Sequence, residues 1–138
     1  MSHLLSTGVA ALTLTLLAGC EPKDTAERVD LVPARAAGSQ GPGGFCIRDS
    51  QGLSVRVRNQ SNIDALQVTQ TRVRFETGAV VTLPTAPMPG GSFAVTGPFP
   101  IPAGCFNPDC GFEITVNVTG TLPNEVSGNN TESGICIG

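Results

Sequence analysis

The side chains that most enzymes work with are scarce in this 138-residue chain and lie at its start. His3 is the sole histidine and Lys23 the sole lysine, so nothing beyond residue 23 offers an imidazole or a primary amine. A Ser-His-Asp or Cys-His triad, a His-ligated metal and a Schiff-base lysine are excluded from the rest of the chain. What remains is five cysteines, Cys20, Cys46, Cys105, Cys110 and Cys136, and 11 thinly spread Asp and Glu residues. Four residues separate Cys105 from Cys110. That is the edge of zinc-finger spacing, and a redox-active pair usually has two intervening residues at a helix start that lowers one thiol pKa. Neither metal nor redox chemistry is expected.

Cys20 stands apart from the other four. Residues 4–17 form a mostly apolar run, shorter than the roughly 20 residues of a spanning helix, and it ends in Leu17-Ala18-Gly19-Cys20. This resembles the lipobox of bacterial lipoproteins, which implies removal of residues 1–19 as a signal peptide and acylation of the Cys20 thiol. Only His3 stands before the apolar run, where Lys or Arg is usual. Several acyl chains make membrane attachment long-lived without an amphipathic helix. Glu21 follows the anchor; lipoproteins with Asp there tend to stay at the inner membrane, so the expected address is the outer membrane. Residues 20–30 read as the anchor and a polar tether.

In an exported domain the four other cysteines read as two disulfides, with three connectivities open. The Pro-containing turn between Cys105 and Cys110 favours a local bridge, which leaves Cys46 with Cys136; with first and last strands as neighbours in a sandwich, that second bridge is expected to tie the two ends of the domain together.

These residues must be held by strands. Gly and Pro, 17 and 11 in number, interrupt every window long enough for a helix, and no 3.6-residue apolar period is sustained. Period-2 alternation recurs instead at residues 53–58 and 68–75, and most clearly at Phe112, Ile114, Val116 and Val118; residues 79–83 form a short apolar strand stopped by Pro84, and another strand begins at 92–95. With a first strand near 31–36 and a last near 131–137, about seven short strands predict an all-β, antiparallel two-sheet sandwich over residues 31–138. Leu53, Val55, Val57, Val73 and Phe75 join the Phe112 row in the core, and Arg56, Arg58, Arg72 and Arg74 face water. The two arginine pairs, on strands of different sheets, form no common patch and discourage edge-to-edge aggregation.

Val55-Arg56-Val57-Arg58-Asn59-Gln60-Ser61 followed by Ala65, and residues 112–118 followed by Pro123-Asn124 and Asn129-Asn130-Thr131, carry a family resemblance. They are similar to the strand-turn segment and closing strand of CARDB domains, the cell-adhesion-related domains of bacteria. The resemblance covers residues 30–137 and implies an immunoglobulin-like sandwich with a noncatalytic adhesion or scaffolding role. Where that family tends to carry acidic residues before Asn-Asn, this chain has Ser127 and Gly128.

Charge is segregated along the chain. All eight Lys and Arg lie at or before Arg74, leaving residues 75–138 with Glu76, Asp109, Glu113, Glu125 and Glu132 and no basic residue. A net charge of −3 argues against nucleic acid as a partner. The polar run at 124–132 could offer oxygens to calcium, but only Glu125 and Glu132 carry charge, and Asn and Gly turn chemistry accounts for it without metal. Asn117-Val118-Thr119 and Asn129-Asn130-Thr131 fit a glycosylation sequon, which is idle in a bacterial lipoprotein. The expected function is a lipid-anchored binding or adhesion module that presents loops to an envelope protein or polysaccharide, with no cofactor and no catalysis. The alternative is a small ligand-binding or inhibitory lipoprotein acting through the Pro-rich loop at 84–89 or the bridged loop at 105–110.

Overall fold

The structure, a computed structural model, describes residues 28–122 and 125–138. The expected signal peptide, Cys20 and most of the tether lie outside the described residues. Eight strands run in order: β1 Leu31–Ala34, β2 Ile47–Asp49, β3 Gly52–Asn59, β4 Thr69–Phe75, β5 Val80–Thr85, β6 Phe93–Phe99, β7 Cys110–Thr115 and β8 Thr131–Cys136. They form two antiparallel four-stranded sheets, as the alternation predicts. In the first, β3 is central: β6 pairs along one edge, while β1 and β2 share the other, opposite residues 56–59 and 52–54. The second has the order β5-β4-β7-β8.

The inner faces follow the apolar rows. Leu53, Val55 and Val57 on β3 pack with Val73 and Phe75 on β4, with Phe112 and Ile114 on β7, and with Val116. The Phe75 and Phe112 rings meet tilted at 58°, centroids 6.4 Å apart. Across β7 and β8, Phe112 faces Gly134. A Cβ there would run into the Phe112 ring and stand 2.9 Å from Cβ of Phe45, so only glycine leaves the ring its place. Outside, Arg56 and Arg58 lie over the Phe93 ring at 4.4 and 5.7 Å. Arg72 and Arg74 stand on the other sheet.

Four departures from the sequence reading have local causes. The additional strand, β2, is three residues long and too short to alternate; a turn in which Asp49 Oδ1 accepts from the backbone N–H of Gln51 (2.7 Å) and Gly52 (3.2 Å) folds it onto β3. Pro84 does not stop β5 but lies within it, opposite Gln70. An edge strand tolerates a residue with no N–H to donate. The inward row ends at Val116 and does not reach Val118, which is half-buried. Asn117, at φ 47°, breaks the alternation. The inner face is also not wholly apolar: Thr71 and Thr85 share a hydroxyl hydrogen bond of 2.6 Å, and Thr85 and Thr96 another of 2.6 Å, linking β4, β5 and β6 from one sheet to the other.

Strand directions give the sandwich two distinct ends. β1 starts, β3 finishes and β6 starts at one end, with residues 60–68, 86–92, 116–122 and 125–130; this is the near end, where the chain enters at Arg28. Residues 50–51, 76–79, 100–109 and 137–138 gather at the far end, and residues 35–46 run along the side of the sheet from β1, which stops opposite Arg56, to β2, which starts opposite Ser54.

Candidate functional site

At the far end Cys110 and Cys136 are cross-strand neighbours on β7 and β8, and each bonds outward to a different loop. Cys136 is joined to Cys46 with Cα atoms 5.2 Å apart, and Cys110 to Cys105 at 5.0 Å. Cys46 sits just before β2, and β1 and β8 belong to different sheets. The long bridge is therefore a staple between sheets, not a tie between first and last strands paired side by side.

Around this cystine pair the short loop is braced from two sides. The Arg48 guanidinium stacks over the Phe106 ring at 4.5 Å, and its Nη2 donates to the Ile137 carbonyl at 3.0 Å. The Gly138 N–H donates to Asp109 Oδ1 at 3.0 Å. Inside the loop the Asn107 N–H reaches the Asp109 carbonyl at 3.4 Å. Asn107 and Pro108 are exposed at the tip, and Ile137 beside them is 63% exposed. The result is a cross-braced knob with an amide, a pyrrolidine ring, an aliphatic side chain and one carboxylate. Such a mixture can recognise a surface through apolar contact and hydrogen bonding. Among the described residues no group of three or more His, Cys, Asp or Glu is placed to hold a metal ion.

The near end is built differently. Met88, at the centre of the Pro-rich loop, is buried and forms a bridge to Ala65, which pins that loop against residues 60–68. A shallow recess of about 180 Å³ lies between them, lined by Asp64, Leu66, Pro87 and Pro89 among others.

The polar run beyond β7 turns one of its two charges inward. Glu125 is buried, and its carboxylate accepts from the Leu31 N–H (3.1 Å), from Asn130 Nδ2 (3.0 Å) and from Asn117 Nδ2. Burial pushes its pKa up; the three hydrogen bonds pull the other way, and nearby Asp30 adds a smaller upward push. Glu132 is exposed on β8, so the run's two carboxylates do not share one environment. Period-2 patterning misses this node because Asn117, Glu125 and Asn130 lie outside strands. The Asn-Asn pair is its visible trace: Asn130 Nδ2 also donates to the Val116 carbonyl at 3.2 Å, and Asn129 Nδ2 to Asp30 Oδ1 at 3.0 Å.

No family model matches the chain, and no curated protein matches it. Among solved structures it is similar to the CARDB domain of a Pyrococcus furiosus protein, crystallised in complex with di-metal ions. The likeness has 16% identity and a TM-score of 0.48, covering 80% of this chain and 89% of that domain.

Proposed function

We propose that this chain is a noncatalytic binding module of the cell envelope, anchored through lipid on Cys20, whose far end contacts an envelope protein or polysaccharide. The observation that supports it most is the polarity of the sandwich. The chain enters at Arg28, at the near end, while the braced knob of Phe106, Asn107, Pro108 and Ile137 lies at the other. A tether at one end leaves the opposite end free to reach a partner. The Pro-rich loop, pinned through Met88 at the tethered end, is the less favoured contact.

The anchor and the contact are tested separately. Cys20→Ser should abolish metabolic labelling with palmitate, and unchanged labelling would remove the lipoprotein reading. Glu21→Asp should move the protein from the outer-membrane to the inner-membrane fraction. For the contact, envelope protein and polysaccharide captured by the wild type should be lost with Asn107→Ala/Ile137→Asp and kept with Pro87→Ala. The reverse pattern would assign the contact to the Pro-rich loop.

A further inference from the structure

The near end carries a combination that the far-end contact does not use. Leu66 is 79% exposed and Val68 49%, both in the loop between β3 and β4. At the same end of the first sheet's outer face Phe93 is 46% exposed, with the Arg58 and Arg56 guanidiniums against its ring and one Arg56 nitrogen donating to the Arg35 carbonyl at 2.6 Å; Val95, two residues further along β6, is 69% exposed. Among the described residues, the carboxylates close by are hydrogen-bonded within the domain. Asp30 accepts from Gln60 Nε2 at 2.6 Å and from Asn129 Nδ2, Asp64 accepts the Gly90 N–H at 2.9 Å, and Glu125 is buried under its three donors. Glu132 stands on the other sheet. Exposed aliphatic tips at the same end as an exposed aromatic ring and arginines are the composition of a surface that enters a lipid headgroup layer.

We infer that this end rests on an acidic phospholipid bilayer, Leu66 and Val68 entering the interface while Arg56 and Arg58 meet lipid phosphates. The length of chain outside the structure selects this occupant. Cys20 precedes Arg28 by eight residues, so at no more than ~3.6 Å per residue the near end stays within about 30 Å of an anchor on that cysteine. Held there, a contact too weak to recruit the domain from solution is populated because the bilayer is always at high local concentration. The inference rests on the anchored reading of Cys20. It fixes the orientation of the module: near end on the lipid, cystine knob outward.

The test supplies the tether chemically, so that it does not depend on whether cells acylate the chain. Among the described residues every buried core residue and both disulfides lie between Leu31 and Cys136, so the chain from Cys20 onward retains all of them. Its one unbridged thiol, Cys20, is coupled to a maleimide phospholipid in vesicles of phosphatidylcholine and phosphatidylglycerol. The sequence has no Trp, so Leu66→Trp and Ile137→Trp are single emission probes. Trp at 66 should shift to the blue and be quenched by brominated lipid several-fold more than Trp at 137. High salt, omission of phosphatidylglycerol, or Arg56→Gln/Arg58→Gln should remove most of that difference. Equal quenching at both positions, or quenching at neither, overturns the proposal. A blue shift at 66 that follows protein density without quenching by brominated lipid overturns it too, in favour of a second copy of the chain. Palmitate labelling in cells reports on the anchor alone, so the two failures stay distinguishable.

Discussion

Glu125 is where burial and charge pull hardest against each other. Its folded-state pKa is raised, chiefly because burial strips solvent from the carboxylate. The folded chain therefore holds that proton more tightly than the unfolded chain does. At low pH both states are protonated and Glu125 contributes nothing. As pH rises from the unfolded value towards the folded one, the unfolded chain ionises first and folding loses stability. Glu125→Gln lacks that titration. Melting temperatures of the two proteins, measured from about pH 4 to 7, should diverge to the wild type's disadvantage as pH rises; a constant difference would show that Glu125 is not the group responsible. At Gly134 the constraint is volume. Alanine there collides with the ring of Phe112, and overpacking of this kind costs roughly 1 to 3 kcal/mol, readable as a lower midpoint in urea.

At the scale of elements, each strand's two faces are set by alternation. Phe112 on β7 is buried against Phe75, so Phe112→Ala should cost on the order of 3 to 5 kcal/mol, while Arg72→Ala on the outer face of β4 should stay within about 0.5. Equal melting points for these variants would mean that the register of the second sheet is wrong. The threonine chain joining β4, β5 and β6 should respond differently. Thr85→Val strands the Thr71 and Thr96 hydroxyls in the interior and should cost about 1 to 3 kcal/mol. Replacing all three by Val removes every stranded group and should recover much of that loss. Chemical denaturation of the single and triple variants separates a hydrogen-bonding role from simple filling of space.

For the molecule as a whole, the two bridges do unequal work. Cys46–Cys136 closes a separation of 90 residues and Cys105–Cys110 one of 5. Through unfolded-chain entropy the long bridge contributes about 4.6 kcal/mol and the short one about 2. Cys46→Ser/Cys136→Ser should therefore lower the melting temperature well beyond Cys105→Ser/Cys110→Ser. The short-bridge variant should keep the fold but loosen the knob that Arg48 and Asp109 brace, and so weaken partner capture more than stability. If capture survives loss of the short bridge intact, the far-end contact lies elsewhere.

The sequence by itself determined the fold class and the strand rows of the core, but not Leu31, Phe45, Ala65, Met88 or Phe99, which are buried as well. Period-2 rows, Gly and Pro at turn spacing and the lack of any helical period leave little besides an antiparallel sandwich, and the residues of those rows are buried as far as Val116. Composition likewise removed histidine and lysine chemistry from the domain. Other features answer to neighbours far apart in the chain, and only the tertiary structure decided them. Pro84 can lie in a strand because β5 is an edge. Glu125 is buried because Asn117, Asn130 and the Leu31 N–H, as far as 94 residues away, converge on it. The two ends, one holding the exposed Leu66 and the other both disulfides, exist only once strand direction is set. Side-chain alternation is written locally, residue by residue, whereas direction and pairing are relations between segments that no local pattern contains.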